Sequence, residues 1–287
     1  MPNKDMSNWL VVSDIDGTLN NKLRQLPKRN FEAINRFVLE CNGHFTLASG
    51  RNVESLRKHY EKLPISGTPA IILNGAGIYD YSQEKMLHFS PINQHAVDVV
   101  GSVYKRFPLV EIEIVTDKTI YTLNPGICTA LMSTADKLTH NSYKRFEDIP
   151  RENWGKVIFL GLPPLINQIR KYIGTLSDTG ANFMSSSISS FEMLEQGVHK
   201  GAALLKIAEM YNIEHKHTAA IGDYFNDYDM LKTVYLSASC GQAPRALKAI
   251  TKYHACHCNH GAVGDLLEYL MDKYEEDSDE RITQEST

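Results

Sequence analysis

The chain has 287 residues, enough for two domains, and its 43% hydrophobic and 22% charged residues exclude a disordered or fibrous protein. Its net charge of −4 arises in residues 275–287, which carry six acidic residues and one arginine. The remainder is close to neutral, so it offers no excess of basic residues for a nucleic-acid-binding face.

Location is predicted from what the sequence lacks. The N-terminal residues show no secretory pattern, and no apolar stretch approaches the roughly 20 residues needed to span a bilayer. Five cysteines are an odd number for a disulfide framework. We therefore expect a cytoplasmic protein with reduced thiols and no membrane partner, ending in an acidic tail, residues 276–287, that is disordered. Nothing in the sequence indicates an oligomeric state.

The first part of the chain alternates short apolar runs with amphipathic stretches. Trp9–Ser13 predicts a strand buried on both faces, and Pro27 then opens a helix. A strand at Phe45–Ala48, a helix over 52–63 and a third apolar run at Ala70–Leu73 follow. This order predicts a doubly wound parallel sheet. The apolar stripe expected on the first helix comprises Phe31, Ile34, Phe37 and Val38.

The same pattern resumes near the end of the chain. A helix is predicted over 201–212, strands at Thr218–Ile221 and Val234–Ser237, and a last helix over Val263–Tyr274. The apolar side of the first of these helices is expected to hold Ala202, Leu205, Ala208 and Tyr211.

The middle of the chain, residues 89–186, differs in pattern. The segments VEIEIV, TIYTL and WGKVIFLGL predict neighbouring strands, and the last leads into a helix with isoleucines at helical spacing. We predict an α/β protein with a Rossmann-like parallel-sheet core at 1–88 and 187–275, interrupted by an inserted α+β domain at 89–186.

Four loops that follow apparent strands carry polar residues: DIDGT, SGR, NGAG and GDYFND. In open parallel sheets, ligands bind beyond the carboxyl ends of the strands. Asp14 and Asp16 would repel each other by roughly 4 kcal/mol at 4 Å and an effective dielectric of 20, and a hard cation such as Mg²⁺ removes that cost. Asp223 and Asp227 are placed to join the same site. The alternative is a plain aspartate-rich turn.

The other loops offer groups that bind phosphate. Ser49 and Gly50 precede a helix, where a hydroxyl and backbone N–H groups cradle an anion; the alternative is ordinary loop chemistry. Lys200 opens a helix against the macrodipole, which favours a functional cation over a solvated surface lysine. Arg51 and Asn74 lie on loops expected near the substrate, although either has a structural alternative.

His254, Cys256, Cys258 and His260 alternate in the segment HACHCNH. On one extended strand all four side chains would share a face. Zinc requires a tetrahedral arrangement of ligands, which a single strand does not provide. We therefore favour buried thiols and loop histidines over a structural zinc site.

Together, DIDGT, ASGR, the lysine of HKG and IGDYFND resemble the four motifs of the haloacid dehalogenase superfamily, in the order that the family has them. The insert falls between the second and third motifs, as in the type-IIB, Cof-like branch of sugar and cofactor phosphatases. LNGAGIYD and CNHGAVGDLLEYL are further matches, and the resemblance covers about residues 8–272.

The resemblance implies a Mg²⁺-dependent phosphatase acting on a small phosphorylated metabolite, with sugar phosphates first among the candidates. By the family's pattern, Asp14 is the nucleophile and Asp16 the general acid and base. The family's metal ligands match Asp14, Asp223 and the backbone carbonyl of Asp16, with Asp227 in support.

The family's phosphate-binding positions match Ser49, Gly50, Lys200 and Asn226. The insert corresponds to the family's mobile cap, which selects the leaving group. Two departures from the pattern, Tyr224 and Gln242, are expected to leave the core chemistry untouched.

Two other functions are compatible with these motifs. A phosphomutase or phosphotransferase of the phosphomannomutase type shares the motifs and passes the phosphoryl group to a sugar hydroxyl. A non-catalytic phosphosugar-binding protein would keep the pocket, but it has no need of the nucleophile Asp14.

Overall fold

The computed structural model describes residues 5–65, 67–133 and 140–285. The strands of this part of the chain are β1 (Leu10–Ser13), β2 (His44–Leu47), β3 (Ala70–Ile72), β4 (Gly77–Asp80), β5 (Lys85–Phe89), β6 (Glu111–Thr116), β7 (Ile120–Leu123), β8 (His140–Tyr143), β9 (Trp154–Leu160), β10 (Ala181–Ser187), β11 (Ser190–Glu195), β12 (Thr218–Gly222), β13 (Leu236–Ser239) and β14 (Tyr253–His254).

The α-helices of the same residues alternate with these strands. They are α1 (Lys28–Asn35), α2 (Val53–Tyr60), α3 (Gln94–Arg106), α4 (Ile127–Ser133), α5 (Pro163–Ile173), α6 (Lys200–Met210), α7 (Tyr228–Thr233), α8 (Arg245–Lys248) and α9 (Ala262–Glu285).

The chain divides into two compact units. The first holds the described residues of Met1–Ala48, Tyr60–Pro69 and Leu204–Thr287, and the second holds those of Ser49–His59 and Ala70–Ala203.

A five-stranded parallel sheet forms the centre of the first unit. Its strand order is β14-β13-β12-β1-β2, so β1 lies between β12 and β2. Every residue of β1 is buried, which fits its unbroken apolar run and its place inside a parallel sheet. The predicted α/β class with a parallel-sheet core is confirmed. The loops after β1 and β12, neighbours in the sheet, emerge at the same edge because the two strands are parallel.

A six-stranded sheet is the main sheet of the second unit, in the order β10-β11-β9-β6-β7-β8. Its pairs are antiparallel except β7 with β8. One face packs against helices α3 and α5 in an apolar cluster that includes Ile112, Ile114, Trp154, Phe159 and Ile169. Asn93 caps α3, since its side chain accepts a hydrogen bond from the N–H of Ala96 at 2.9 Å.

This sheet extends beyond the predicted boundary of the insert at residue 186. Strand β11 pairs with both β9 and β10, so Ser190–Glu195 belongs with the inserted strands rather than with the parallel sheet. The sequence did not reveal this because strand pairing decides which sheet a strand joins, and a single sequence does not specify that pairing.

The third apolar run departs from the prediction. Strand β3 does not join the parallel sheet, but pairs with β4 in a three-stranded antiparallel sheet that β5 completes. Three apolar residues are enough to predict a buried strand, but they do not specify its partner.

Several helix predictions also need correction. On α1, Phe31 is 40% exposed, although the rest of the expected stripe is buried. On α6, Leu205 is 41% exposed, and the buried side is formed by Ala203, Leu204, Ile207 and Ala208. The last helix continues to Glu285, through residues expected to form a disordered tail; residues 286–287 lie outside those described.

Among the described residues, no helix is both long and apolar enough to cross a membrane.

Candidate active site

Three aspartates converge at the carboxyl ends of β1 and β12. One carboxylate oxygen from each of Asp14, Asp223 and Asp227 lies within 4.8 Å of the other two. Asp14 and Asp227 are buried, and Asp223 is half-buried. Among the described residues, they are the one group of His, Cys, Asp or Glu side chains close enough to share an ion.

The chemistry of this group fits a hard divalent cation. Two like charges at 4.8 Å repel by roughly 3 kcal/mol at an effective dielectric of 20, and burial increases that repulsion. A cation removes the repulsion, and carboxylate oxygens are the ligands that Mg²⁺ takes in proteins. We conclude that these three residues are suited to hold such an ion.

Asp227 also organises the loop that carries Asp223. Its Oδ2 accepts hydrogen bonds from the backbone N–H of Asp223 at 3.1 Å and of Tyr224 at 3.4 Å. A side chain on Gly222 would lie 2.5 Å from the Asp227 Cβ, so the close approach requires glycine here. Asn226 is half-buried in the single 3₁₀ turn Phe225–Asp227.

The remaining predicted metal residue differs from these three. The carboxylate of Asp16 is exposed and is not part of the group, whereas the resemblance assigns a metal contact to its backbone carbonyl. The next residue, Gly17, has φ of +82°, and a Cβ there would lie 2.9 Å from the Asp223 Cγ. Glycine is thus needed both for the turn and for the approach of Asp223.

Gln242 departs from the family's pattern and was expected to leave the core chemistry untouched, but it contacts a predicted metal ligand. Its Nε2 donates hydrogen bonds to the carbonyl of Gly17 and to Asp223 Oδ2, the latter at 3.3 Å. Its Oε1 accepts from the backbone N–H of Cys258 at 3.1 Å. Gln242 therefore ties the loop after β1 to a predicted metal ligand. The departure from the family's pattern at Gln242 was the sequence signal for this position.

Of the predicted phosphate-binding residues, Ser49, Gly50 and Lys200 lie in the second unit, and Asn226 lies in the first. Ser49 is buried, and its carbonyl accepts a hydrogen bond from the N–H of Asn74 at 2.9 Å. The Ser49 Oγ accepts one from the N–H of Arg51 at 3.3 Å. Asn52 then caps α2, accepting from the Ser55 N–H at 2.8 Å. The SGR segment is thus a tight turn directly before a helix, as the sequence predicts.

Lys200 lies close to the Asn74 loop and is fully buried, with 1% of its surface exposed. A Cβ on Gly75, whose φ is +107°, would lie 2.9 Å from the backbone nitrogen of Lys200 and would also meet His199. Because a solvated surface lysine would be exposed, that alternative is wrong. A lysine buried to this degree requires a polar or charged partner.

The HACHCNH segment does not form the single strand assumed for it. Strand β14 ends at His254, and a 3₁₀ turn spans Cys258–His260. Cys258 is buried and Cys256 half-buried, while both His254 and His260 are exposed. Burial raises the pKa of both thiols, which favours neutral structural cysteines.

Comparison with known proteins agrees with the motifs. Residues 11–267 match the family model of haloacid dehalogenase-like hydrolases. The chain belongs to this family.

Related proteins match over most of their length. The chain is 24% identical to the HMP-PP phosphatase of Citrobacter koseri, over 92% of this chain and 96% of that protein. It is also 24% identical to the pyridoxal phosphate phosphatase of Escherichia coli, over 85% of this chain and 92% of that protein.

A solved structure shows the same fold. A haloacid dehalogenase subclass IIB sugar phosphatase superposes with a TM-score of 0.77 at 18% identity, over 91% of this chain and 98% of that chain. The family expected from the motif order is confirmed, and the fold is that of the subclass IIB structure.

Proposed function

We propose that this haloacid dehalogenase-type phosphatase uses Mg²⁺ to hydrolyse the phosphate monoester of a small metabolite through an aspartyl-phosphate on Asp14. The observation that carries the proposal is the group of three carboxylates within 4.8 Å of one another, with Asp14 directly after the central strand β1. A nucleophile and a cation are the two elements that the reaction requires at one place.

The first half-reaction uses both aspartates of the DIDGT loop. A carboxylate oxygen of Asp14 bonds to phosphorus while the bond from phosphorus to the leaving oxygen breaks. Asp16 gives its proton to that oxygen, which is the role that the family's pattern assigns to it. The metabolite leaves as an alcohol, and the phosphoryl group remains on Asp14.

The second half-reaction restores the enzyme. Asp16, now ionised, takes a proton from water as the water oxygen bonds to phosphorus. The bond between phosphorus and the Asp14 oxygen breaks, so orthophosphate leaves and both aspartates return to their starting states. Phosphoryl transfer depends mainly on positioning and charge stabilisation, which the side chains around the phosphoryl group would supply.

The remaining residues have supporting roles in this proposal. Asp14, Asp223, Asp227 and the carbonyl of Asp16 would hold Mg²⁺, which supplies positive charge to the phosphoryl oxygens. Ser49, Gly50, Lys200 and Asn226 would bind the phosphoryl group, following the family's pattern. Arg51 and Asn74 would contact the substrate beyond the phosphate.

The substrate class is a small phosphorylated metabolite. A sugar phosphatase shares the fold, and phosphatases named for HMP-PP and for pyridoxal phosphate are among the related sequences. Sugar phosphates and phosphorylated cofactors are therefore the two groups to test, with sugar phosphates first.

The test is phosphate release from a panel of both groups, with Mg²⁺, with EDTA and with Asp14→Asn. Asp229→Asn is the matched control, because Asp229 is an exposed aspartate of α7 outside the carboxylate group. We expect metal-dependent turnover that Asp14→Asn loses and Asp229→Asn keeps. Phosphoryl transfer to a sugar hydroxyl without phosphate release would indicate a mutase instead, and binding without either reaction would indicate a non-catalytic protein.

A further inference from the structure

A buried ion pair lies on the six-stranded sheet. Lys156 Nζ of β9 is 3.2 Å from Glu192 Oε2 of β11, and the two side chains are only 6% and 7% exposed. The cost of removing two charges from water offsets much of their attraction, so a buried ion pair is weak evidence of a stabilising role. Lys156 lies in an otherwise apolar strand, WGKVIFL, so a role other than stabilisation is needed to explain the ion pair.

Both members of the pair reach the Ser49–Gly50–Arg51 turn. Lys156 Nζ donates a hydrogen bond to the carbonyl of Gly50 at 2.8 Å. Glu192 Oε2 accepts one from Asn74 Nδ2, also at 2.8 Å. The Asn74 amide in turn packs against Gly50, since a Cβ on Gly50 would lie 3.0 Å from Asn74 Nδ2.

These contacts determine which way the peptide groups of the turn face. In a trans peptide the C=O and the following N–H point in opposite directions. The Gly50 carbonyl points to Lys156, so the Arg51 N–H points away from it, to Ser49 Oγ. The Ser49 carbonyl points to the Asn74 N–H, so the Gly50 N–H points away from Asn74. Lys156 and Asn74 thereby orient two N–H groups of the turn.

Asn74 is itself held in an unusual conformation. Its φ and ψ are 55° and 27°, in the left-handed region that asparagine tolerates better than most residues. Its Nδ2 is fixed by Glu192, and its backbone N–H by Ser49. Glu192 is thus joined to the turn through Asn74, and Lys156 is joined to it directly.

We propose that Lys156, Glu192 and Asn74 are positioning residues that hold the Ser49–Gly50–Arg51 turn in its phosphate-binding conformation. This inference rests on the proposed function, in which the turn binds the phosphoryl group. Because every substrate carries the same phosphoryl group, loss of these contacts weakens binding and turnover by the same factor whatever the leaving group.

The test uses the double variant Lys156→Met, Glu192→Gln. It removes both charges together, so neither is left buried alone, and glutamine keeps an acceptor for Asn74. Glu192→Gln alone is the second variant. It keeps the Lys156 bond to Gly50 but leaves the lysine charge without its carboxylate partner, so its unfolding midpoint is expected to fall. Glu84→Gln is the control, since it breaks the exposed Arg57–Glu84 ion pair of the same unit.

Two quantities are measured for each variant. One is kcat/KM for three phosphate monoesters with different leaving groups, and the other is the affinity for orthophosphate by calorimetry in the presence of Mg²⁺. For the double variant we expect an unfolding midpoint near the wild type, and both quantities lower by the same factor of about 10–100. Glu192→Gln should show a smaller uniform loss, and Glu84→Gln none.

Unchanged kcat/KM and phosphate affinity in the double variant would overturn the proposal. Losses that differ between substrates would also overturn it, because they would assign these residues to the leaving group. Should the wild type bind orthophosphate but hydrolyse no substrate, weaker orthophosphate binding by the variants would still support the positioning role. In that outcome the proposed function alone would fail.

Discussion

The Asp227 carboxylate accepts a hydrogen bond from the backbone N–H of Asp223 at 3.1 Å. One aspartate of the carboxylate group therefore fixes the main chain that presents another. Such contacts around metal ligands typically contribute 10–100-fold to metal affinity or activity.

Replacing Asp227 by asparagine should lower the affinity for Mg²⁺ by about 10–100-fold while leaving the fold intact. The asparagine keeps an oxygen acceptor for the Asp223 N–H but removes one negative charge. Calorimetric titration with Mg²⁺ measures this directly, with Asp229→Asn as control. Equal affinities of Asp227→Asn and wild type would exclude a role for the Asp227 charge in metal binding.

Gly222→Ala should disturb the loop after β12, which carries Asp223 and Asp227. The added methyl would lie 2.5 Å from the Asp227 Cβ, so the loop after β12 must shift. We expect a loss of about 1–3 kcal/mol in the free energy of unfolding and weaker Mg²⁺ binding. Gly174→Ala is a suitable control, because its Cβ would meet neighbours only at 3.4 Å or more. Wild-type stability and Mg²⁺ affinity in Gly222→Ala would contradict the observed packing.

Gln242→Ala should weaken the tie between Gly17 and Asp223. Alanine removes the amide that donates to both groups and the oxygen that accepts from Cys258. We expect kcat to fall by about tenfold or more, with partial recovery in Gln242→Asn because a shorter amide keeps some of these bonds. Steady-state kinetics at saturating Mg²⁺ would measure the effect. Full activity of the alanine variant would show that the bridge is dispensable.

The thiols of Cys128, Cys240, Cys256 and Cys258 should react slowly in the native protein at neutral pH. Burial raises the pKa of Cys240 well above its ordinary value, and burial also raises the pKa of Cys128, Cys256 and Cys258. Because the thiolate is the reactive form, a raised pKa leaves little nucleophile at pH 7.5. Reaction with a chromogenic disulfide should be slow in the native state and faster as the pH rises. Rapid labelling of any of these four at pH 7.5 would contradict this expectation.

The ion pair between Arg57 and Glu84 should give stability a weak dependence on acid pH. Hydrogen bonds from Arg57 lower the pKa of Glu84 from its ordinary 4.5 to about 2. The contribution is complete above the unfolded-state pKa near 4.5 and is lost as pH falls through about 2. The stability difference between wild type and Glu84→Gln should therefore shrink between pH 5 and pH 2 in denaturant titrations. A stability difference that grows as the pH falls would contradict the lowered pKa of Glu84.

The sequence predicted the features that local patterns specify. Asp14 follows an apolar run that must be a buried strand, so its place at the carboxyl end of β1 followed from order alone. Asp223 likewise follows an apolar run at the end of β12. The SGR turn was predicted because Ser49 and Gly50 stand between a strand and a helix.

Features that depend on long-range packing were not predictable in this way. Lys156 contacts Gly50 across 106 positions, and Glu192 contacts Asn74 across 118, so no local pattern joins them. Their pairing depends on the register of β9 with β11, which a single sequence does not reveal. The prediction of the buried side of α6 was wrong for a similar reason. Neighbouring strands, and not the helical period alone, decide which apolar residues are covered.

Transfer of the phosphoryl group to Asp14 is tested most directly by trapping the aspartyl-phosphate intermediate. Enzyme turning over a substrate with Mg²⁺ would be quenched in acid, reduced with borohydride and analysed by peptide mass spectrometry, because borohydride converts an aspartyl-phosphate to homoserine. We predict homoserine at position 14, dependent on both substrate and Mg²⁺ and missing when either is omitted. Steady phosphate release with position 14 unmodified and another side chain labelled would contradict it.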